Sequence, residues 1–155
     1  MDQIDKQTLM QLQHNASQPL ADFACKLGLS VTPCRRRIQR MQETGIIRKR
    51  VALLNSKAIG VGMSAFVAVR TNQHNAYWLQ NFAGIVADMP EVLEFYRISG
   101  EVDYLRGVVV PNMASHDRFY LQLIANVQLT DVSSSFVIEE IKYASALPLP
   151  EADDA

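Results

Sequence analysis

The stretch LSVTPCRRRIQRMQETGIIRKR, residues 29–50, concentrates seven basic side chains between Arg35 and Arg50. On a helical wheel of about 100° per residue, Cys34, Ile38 and Met41 share a narrow apolar arc. The polar side chains lie opposite or at its edge: Thr32, Arg35, Arg36, Gln39 and Arg40, with Arg37 at the edge. The pattern predicts an amphipathic helix with a buried side and a basic, hydrated side.

The start of this helix is marked by a cap residue, either Ser30 or Thr32. If Thr32 is the cap, Pro33 takes the first helical position, where its missing N–H costs nothing and its fixed φ is suitable. Two helices are predicted before it, at about residues 2–14 and 20–26, and the second ends at Gly28.

A short helix, a turn containing glycine and a basic helix are typical of a helix-turn-helix motif. After Gly45, the segment IIRKRVALL predicts a strand or β-wing beside the DNA backbone. The predicted DNA contacts are Ser30, Thr32, Arg35, Arg36, Arg37, Gln39, Arg40, Arg48, Lys49 and Arg50. The alternative is a hydrated helix of an ordinary bundle.

The charge distribution favours the DNA-binding interpretation. Residues 1–50 hold nine Lys and Arg against four Asp and Glu, a net of +5, whereas residues 51–155 hold six against twelve, a net of −6. Such asymmetry is typical of a polyanion-binding module joined to a second module.

Composition excludes several other classes of protein. The chain has 155 residues, 48% of them hydrophobic, and no apolar run approaches the ~20 residues of a membrane span. The N-terminus lacks the pattern of a signal peptide, so we expect a cytoplasmic protein with reduced cysteines. Cys25 and Cys34 are expected to be small buried side chains.

The second half has the order β-α-β-β-α-β. Strands are predicted at 63–70, 92–98, 104–110 and 134–142, and helices at 75–89 and 115–127. This order predicts a ferredoxin-like sandwich and, with the N-terminal winged helix-turn-helix, an α+β chain. The predicted domains are 1–52 for DNA binding, 53–62 as linker, 63–148 for effector binding and oligomerisation, and 149–155 as acidic tail.

Two helices can cover only one face of this sheet. Val67, Val69, Val108 and Val110 are candidates for the face left over. An apolar face of that kind is expected to be buried against a second subunit, so we predict at least a homodimer.

No pattern for catalysis or for a metal site is found. His14, His74 and His116 are far apart, and no His or Asp is arranged around Ser133–Ser135 by any known motif. We therefore expect neither an enzyme nor a metal or cofactor.

Four segments together resemble the Lrp/AsnC, or feast/famine, family of regulators. They are MDQIDKQTLMQLQ, LADFACKLGLSVTPCRRRIQRMQETGIIRKRVALL, MPEVLEFYRISGEVDYL and SSSFVIEEIK. The resemblance implies a winged helix-turn-helix joined to an effector-binding α/β sandwich, assembling as dimers and often as octamers of four dimers. It also implies transcription control by a small molecule, commonly an amino acid. The chain departs from the commonest family pattern at Pro33-Cys34.

The turn SGEVDYL is the candidate effector site. Gly100 lets the backbone present N–H groups, which suit a carboxylate, while Asp103 suits an ammonium group. The resemblance implies that the segment LTDVSSS of a facing subunit completes the site. The candidate residues are Ser99, Gly100, Glu101, Asp103, Tyr104, Thr130, Asp131, Ser133 and Ser134. The alternative is a plain hairpin turn with exposed acids.

The leading hypothesis is thus a sequence-specific transcriptional regulator whose oligomeric state or DNA affinity responds to a small effector. The alternative is an architectural DNA-binding protein without an effector.

Overall fold

The computed structural model describes residues 1–150 and contains two compact units. One comprises Met1–Leu53 and the segment that starts at Ile141, and the other is Leu54–Glu140. The elements are α1 Gln3–His14, α2 Leu20–Lys26, α3 Val31–Glu43, β1 Met63–Arg70, α4 Ala76–Ala87, β2 Val92–Arg97, β3 Tyr104–Val110, α5 Met113–Asn126 and β4 Asp131–Phe136. The predicted α+β class is confirmed.

The first unit is a three-helix head with a small apolar core. Phe23 and Ala24 of α2 pack against Cys34 and Ile38 of α3. Partly buried side chains close this core: Leu12, Leu20, Leu27, Leu29 and Ile47. Cys34 is fully buried, which raises the pKa of its thiol. Cys25 is exposed, so the expectation of a buried side chain is wrong for that residue.

Helix α3 begins one residue after Ser30, which is therefore its N-cap rather than Thr32. Pro33 is then the third helical residue instead of the first. It still lies in the first turn, where backbone N–H groups have no partner within the helix. Pro33 is therefore tolerated because its missing N–H costs no helical hydrogen bond, as predicted, although it is the third helical residue and not the first.

The chain reverses direction after α3 at Gly45, whose φ of 75° favours glycine. The N–H of Ile47 then donates to the carbonyl of Met41 at 2.9 Å. Residues 48–54 form no strand, because their backbone groups make no ladder with another segment of residues 1–150. The strand predicted for IIRKRVALL is therefore absent from the described chain.

The C-terminal segment lies against α1. The side-chain amide of Gln13 donates to the carbonyl of Leu147 at 3.1 Å and accepts from its N–H at 2.6 Å. Lys6 Nζ donates to the carbonyl of Pro150. These contacts group the segment after residue 140 with the head, whereas the sequence predicts a domain extending to residue 148. Residues 151–155 of the predicted acidic tail lie outside the described chain.

The second unit contains an antiparallel four-stranded sheet in the order β2-β3-β1-β4. This order is the one expected of the ferredoxin-like βαββαβ arrangement. The last strand lies earlier than predicted, at Asp131–Phe136 instead of 134–142. Its polar sequence has weak strand character, but pairing with β1 satisfies its backbone, with Asp131 opposite Arg70 and Phe136 opposite Ala65.

The four valines predicted for the uncovered face are in fact core residues. Val67, Val69, Val108 and Val110 pack with Phe82 and Val86 of α4 and with Phe119 and Leu123 of α5. Because strand side chains alternate, the opposite face carries Phe66 and Val109. Phe66 is 47% exposed. The sheet therefore has an apolar face that the helices do not cover, but Phe66 and Val109 lie on it instead of the four valines.

Arg106 is an unusual member of the helix-covered face. Its side chain is 0% exposed, and its guanidinium carbon lies 5.4 Å from the ring centroid of Phe82 and 5.8 Å from that of Phe119. Burial lowers the pKa of Arg106 to about 10. Its three nitrogens have no hydrogen-bond partner among residues 1–150.

Candidate nucleic-acid interface and effector site

The outer side of α3 carries two arginines whose side chains are not paired with any other residue of the described chain. Arg35 and Arg36 are exposed, and neither takes part in a salt bridge or a side-chain hydrogen bond within residues 1–150. Thr32 is exposed beside them, as is the N-cap Ser30. A guanidinium that is not already paired can bind phosphate or the acceptor edge of guanine.

Two other arginines of the same helix are held by α1. Arg37 Nη1 lies 2.6 Å from Asp2 Oδ2 and 2.8 Å from Asp5 Oδ1, and Arg40 Nη2 lies 2.5 Å from Asp5 Oδ2. Hydrogen bonds to Asp2 and then to Asp5 raise the pKa of Arg37. The four arginines of α3 predicted to contact DNA therefore divide into Arg35 and Arg36, which are unpaired within residues 1–150, and Arg37 and Arg40, which are anchored within the head.

Asp2 and Asp5 belong to the start of α1 as a capping box. The carboxylate of Asp2 accepts from the N–H of Asp5 at 2.8 Å, and the carboxylate of Asp5 accepts from the N–H of Asp2 at 3.3 Å. The Asp5 N–H first, and Arg37 second, hold the pKa of Asp2 below its usual value. The link between these two acids and α3 was not predicted from the sequence.

The remaining predicted DNA contacts lie on the exposed surface of the head. Gln39 donates to Glu43 Oε1 at 2.8 Å, an exposed bond that a base edge can replace. Arg48, Lys49 and Arg50 are exposed. Arg50 borders a groove of about 360 Å³ whose lining includes Arg35, Gln39 and Gln42. The structure therefore brings Arg50 beside α3 even without the predicted strand.

The hairpin between β2 and β3 holds the candidate effector residues. Ser99, Gly100 and Glu101 are exposed, and the φ of 149° at Gly100 favours glycine. Asp103 is half-buried, and its Oδ2 accepts from the N–H of Thr71 at 2.9 Å. Asp103 therefore braces the hairpin against the end of β1, a role that sequence analysis did not foresee.

Arg70, the last residue of β1, connects the hairpin with β4. Its Nε donates to the carbonyl of Glu101 at 2.7 Å, and its own carbonyl accepts from the N–H of Thr130 at 2.9 Å. Asp131 lies opposite Arg70 in the sheet. Within one chain, the structure thus brings both predicted parts of the effector site to the same end of β1. Arg70 itself was not predicted.

Tyr104, Ser133 and Ser134, three of the predicted effector residues, lie within strands rather than in loops. Tyr104 is 3% exposed, and its ring packs on Trp78, Phe82 and Phe95. Strand alternation directs the ring into the core, so the ring does not face the surface of the hairpin. The segment with Ser133 and Ser134 is part of β4 rather than a loop, so these two side chains point to opposite faces of the sheet.

None of the helices in residues 1–150 is both long and apolar enough to cross a membrane.

Sequence comparison identifies the two units. Residues 1–42 match the AsnC-type helix-turn-helix domain, and residues 64–147 match the Lrp/AsnC ligand binding domain. The chain is 44% identical over 154 residues to the glutamate uptake regulatory protein of Zymomonas mobilis, covering 99% of this chain and 94% of that protein. It is 42% identical to the DNA-binding transcriptional activator DecR of Escherichia coli, covering 96% and 99%.

Solved structures agree with this assignment. An AsnC family transcriptional regulator from Agrobacterium tumefaciens superposes with a TM-score of 0.92 at 49% identity, covering 96% of this chain and 97% of that one. A transcriptional regulator of Neisseria meningitidis in complex with L-Met superposes with a TM-score of 0.90 at 32% identity, covering 96% of both chains. Proteins of this kind are regulators and not enzymes. The chain belongs to the Lrp/AsnC family of DNA-binding transcriptional regulators, with an N-terminal helix-turn-helix domain and a ligand-binding domain.

Proposed function

We propose that this regulator binds specific duplex DNA sites through the outer side of α3 and changes its assembly or DNA affinity when an amino acid binds. The observation that carries the first part is that Arg35 and Arg36 are exposed, and unpaired within residues 1–150, on a helix whose other side is fixed in the core. Thr32 and Gln39 supply hydrogen-bonding groups beside them. Arg48, Lys49 and Arg50 supply phosphate contacts, and the protein acts in the cytoplasm.

DNA binding is expected to weaken steeply as salt concentration rises, because each phosphate contact releases condensed counterions. With about four such contacts, affinity falls about a hundredfold between 50 and 200 mM salt. Fluorescence anisotropy measures this with a duplex enriched from a random library by the wild-type protein. A shuffled duplex is the control, and equal affinity for both would argue against sequence-specific binding.

The effector proposal rests on the end of β1. Backbone amides near Gly100 and the guanidinium of Arg70 offer positive groups for a carboxylate, while Glu101, Asp103 and Asp131 offer negative groups for an ammonium. The side chain of Arg70 is 48% exposed and that of Glu101 is 95% exposed, so a ligand can approach both. The relative solved with L-Met supports an amino acid as the effector class.

Asp103→Asn is expected to weaken amino-acid binding at least about tenfold, because a charge-assisted hydrogen bond to the ammonium is removed. Asparagine keeps an oxygen for the N–H of Thr71, so the hairpin brace is retained. A thermal-shift scan across the amino acids finds the effector, and calorimetry on the variant measures the change.

Asp88→Asn is the matched control, since Asp88 is an exposed acid of the same domain, at the C-cap of α4. Unchanged affinity in Asp103→Asn would remove Asp103 from the site. If no amino acid shifts the melting temperature of the wild-type protein, the architectural alternative gains support instead.

The open face of the sheet supports self-association. Phe66 and Tyr96 are exposed there, and Leu105 and Val109 are half-buried between them. A second copy offers the same apolar face, so the pairing is self-complementary and closes as a two-fold dimer. Dimers then place two heads for two half-sites of DNA, and four dimers form an octamer. Light scattering with and without effector measures which assembly is present.

A further inference from the structure

The carboxylate of Asp5 is the most deeply buried acidic group of the head. The residue is 1% exposed, although it lies in the first turn of α1. An aspartate at a helix start normally remains hydrated, and its burial has a cost unless its charge is paired. Here both oxygens are paired, Oδ1 with Arg37 and Oδ2 with Arg40.

Both partners of Asp5 lie on α3, 32 and 35 positions further along the chain. They project from one flank of α3, between its buried side and its outer side. Arg36 lies further out on the same helix and is not paired within residues 1–150. The ion pairs therefore hold α3 against rotation about its own axis, in addition to the apolar contacts of Cys34, Ile38 and Met41.

Arg40 has a half-exposed side chain that is already paired, so it is poorly suited to reading a base. A DNA contact by Arg40 would have to compete with a buried carboxylate at hydrogen-bond distance. Arg36 meets no such competition from the described part of the chain. This proposal rests on the proposed DNA-binding function and assigns distinct tasks within one arginine cluster.

We propose that Asp5 is a positioning residue for DNA recognition: its buried carboxylate holds Arg37 and Arg40 and thereby sets the rotation of α3 that presents Arg36 and Arg35 to the base edges. Asp5 does not touch DNA. Its contribution is to sequence discrimination, while attraction to phosphate depends on the exposed cations.

The direction in which DNA affinity changes when the charge of Asp5 is removed separates this proposal from a purely electrostatic effect. Removing an acidic charge near a DNA-binding surface strengthens attraction to a polyanion. If Asp5 positions α3, removing its charge weakens binding to the specific duplex even though the head becomes more positive. Non-specific binding is retained, since it requires cations but no fixed helix rotation.

The test uses Asp5→Asn in the full-length protein, with Asp22→Asn as the matched control. Asp22 is an exposed acid on α2 of the same head, so its change removes an equal charge. Anisotropy with the library-selected duplex and with its shuffled form measures the specificity ratio. We expect Asp5→Asn to lower specific affinity about tenfold or more and to leave non-specific affinity within about twofold. Asp22→Asn is expected to leave the ratio unchanged.

Two further measurements separate positioning from unfolding. Far-ultraviolet circular dichroism reports whether the helices of Asp5→Asn are retained, and loss of both specific and non-specific binding together with helix content would overturn the positioning role. The second measurement combines Arg40→Gln with Asp5→Asn. We expect the specific DNA affinity of the double variant to be little lower than that of Asp5→Asn alone, because both changes break the same Asp5–Arg40 ion pair. Additive losses would show that Arg40 contacts DNA independently of Asp5.

The outcomes also distinguish this proposal from the proposed function. If the wild-type protein does not prefer the selected duplex over the shuffled one, the proposed sequence-specific function fails. If it does, and Asp5→Asn retains the wild-type ratio, only the positioning role of Asp5 fails.

Discussion

Replacing Arg35 and Arg36 together by alanine is expected to reduce affinity for the specific duplex by about a hundredfold or more. Each guanidinium that contacts a base or a phosphate contributes about 1–3 kcal/mol, so the loss of two corresponds to at least about 2–3 kcal/mol. Neither side chain is bonded to another residue of the described chain. The fold and the assembly should therefore be unaffected.

Anisotropy at several salt concentrations distinguishes whether these two arginines bind phosphates or base edges. Removing a phosphate-binding side chain reduces the salt slope by nearly one, whereas removing a base-reading side chain reduces the preference over shuffled DNA. The matched control removes Arg97 and Arg118, two exposed arginines of the ligand-binding domain. If the control variant loses as much affinity as the α3 variant, net charge rather than this helix governs binding.

Replacing Arg106 by leucine is expected to stabilise the ligand-binding domain by about 1–3 kcal/mol. The lowering of the pKa of Arg106 to about 10 corresponds to about 3 kcal/mol of free energy against the buried charged form. Cation–π contact with Phe82 and Phe119 offsets part of this, about 2 kcal/mol for a desolvated cation. Leucine removes the cost of desolvation and adds apolar contact with the same rings, as in buried ion pairs replaced by hydrophobic residues.

The pH dependence of this penalty has a definite sign. The folded-state pKa is lower than the unfolded one, so the unfolded chain binds more protons in the pH range that begins at about 10. Stability attributed to Arg106 therefore rises with pH in that window, and the full penalty is present at all lower pH values. Substitution is the practical measurement at neutral pH.

Urea unfolding of Arg106→Leu and of the wild-type protein gives the difference in unfolding free energy. Arg97→Leu is the control, since Arg97 is exposed on the same sheet, and its effect should stay within about 0.5 kcal/mol. A destabilised Arg106→Leu would show that the guanidinium has a favourable partner in the folded protein. The retention of Arg106 would then be explained by stability.

Much of the head follows from local sequence. Helical periodicity placed α1 and α2 within one residue of their observed bounds, and the wheel of α3 identified Cys34, Ile38 and Met41 as its buried residues. The start of α3 was less certain, because Ser30 and Thr32 are both good cap residues and only the backbone geometry selects one. Exposure of Arg35 and Arg36 was predicted from the same wheel, since charged side chains opposite an apolar arc remain hydrated.

The less accurate predictions concern segments whose structure depends on partners. The segment after Gly45 has strand-like residues and forms no strand, because a ladder requires a neighbouring segment. β4 has a polar, loop-like sequence and forms a strand, because β1 provides that neighbour. Tyr104 was assigned to the hairpin by its position in the sequence, but strand alternation and the aromatic cluster around Phe82 place it in the core.

The sequence by itself determined the order of elements, the amphipathic side of α3 and the basic character of the head, because these depend on spacing and composition along a short stretch. Only the tertiary structure decided that Arg37 and Arg40 pair with Asp5, that Arg70 joins the hairpin to β4, and that Arg106 is enclosed by aromatic rings. Each of these contacts joins residues far apart in the chain. Local periodicity carries no information about such pairs, because the packing of whole elements sets which distant side chains meet.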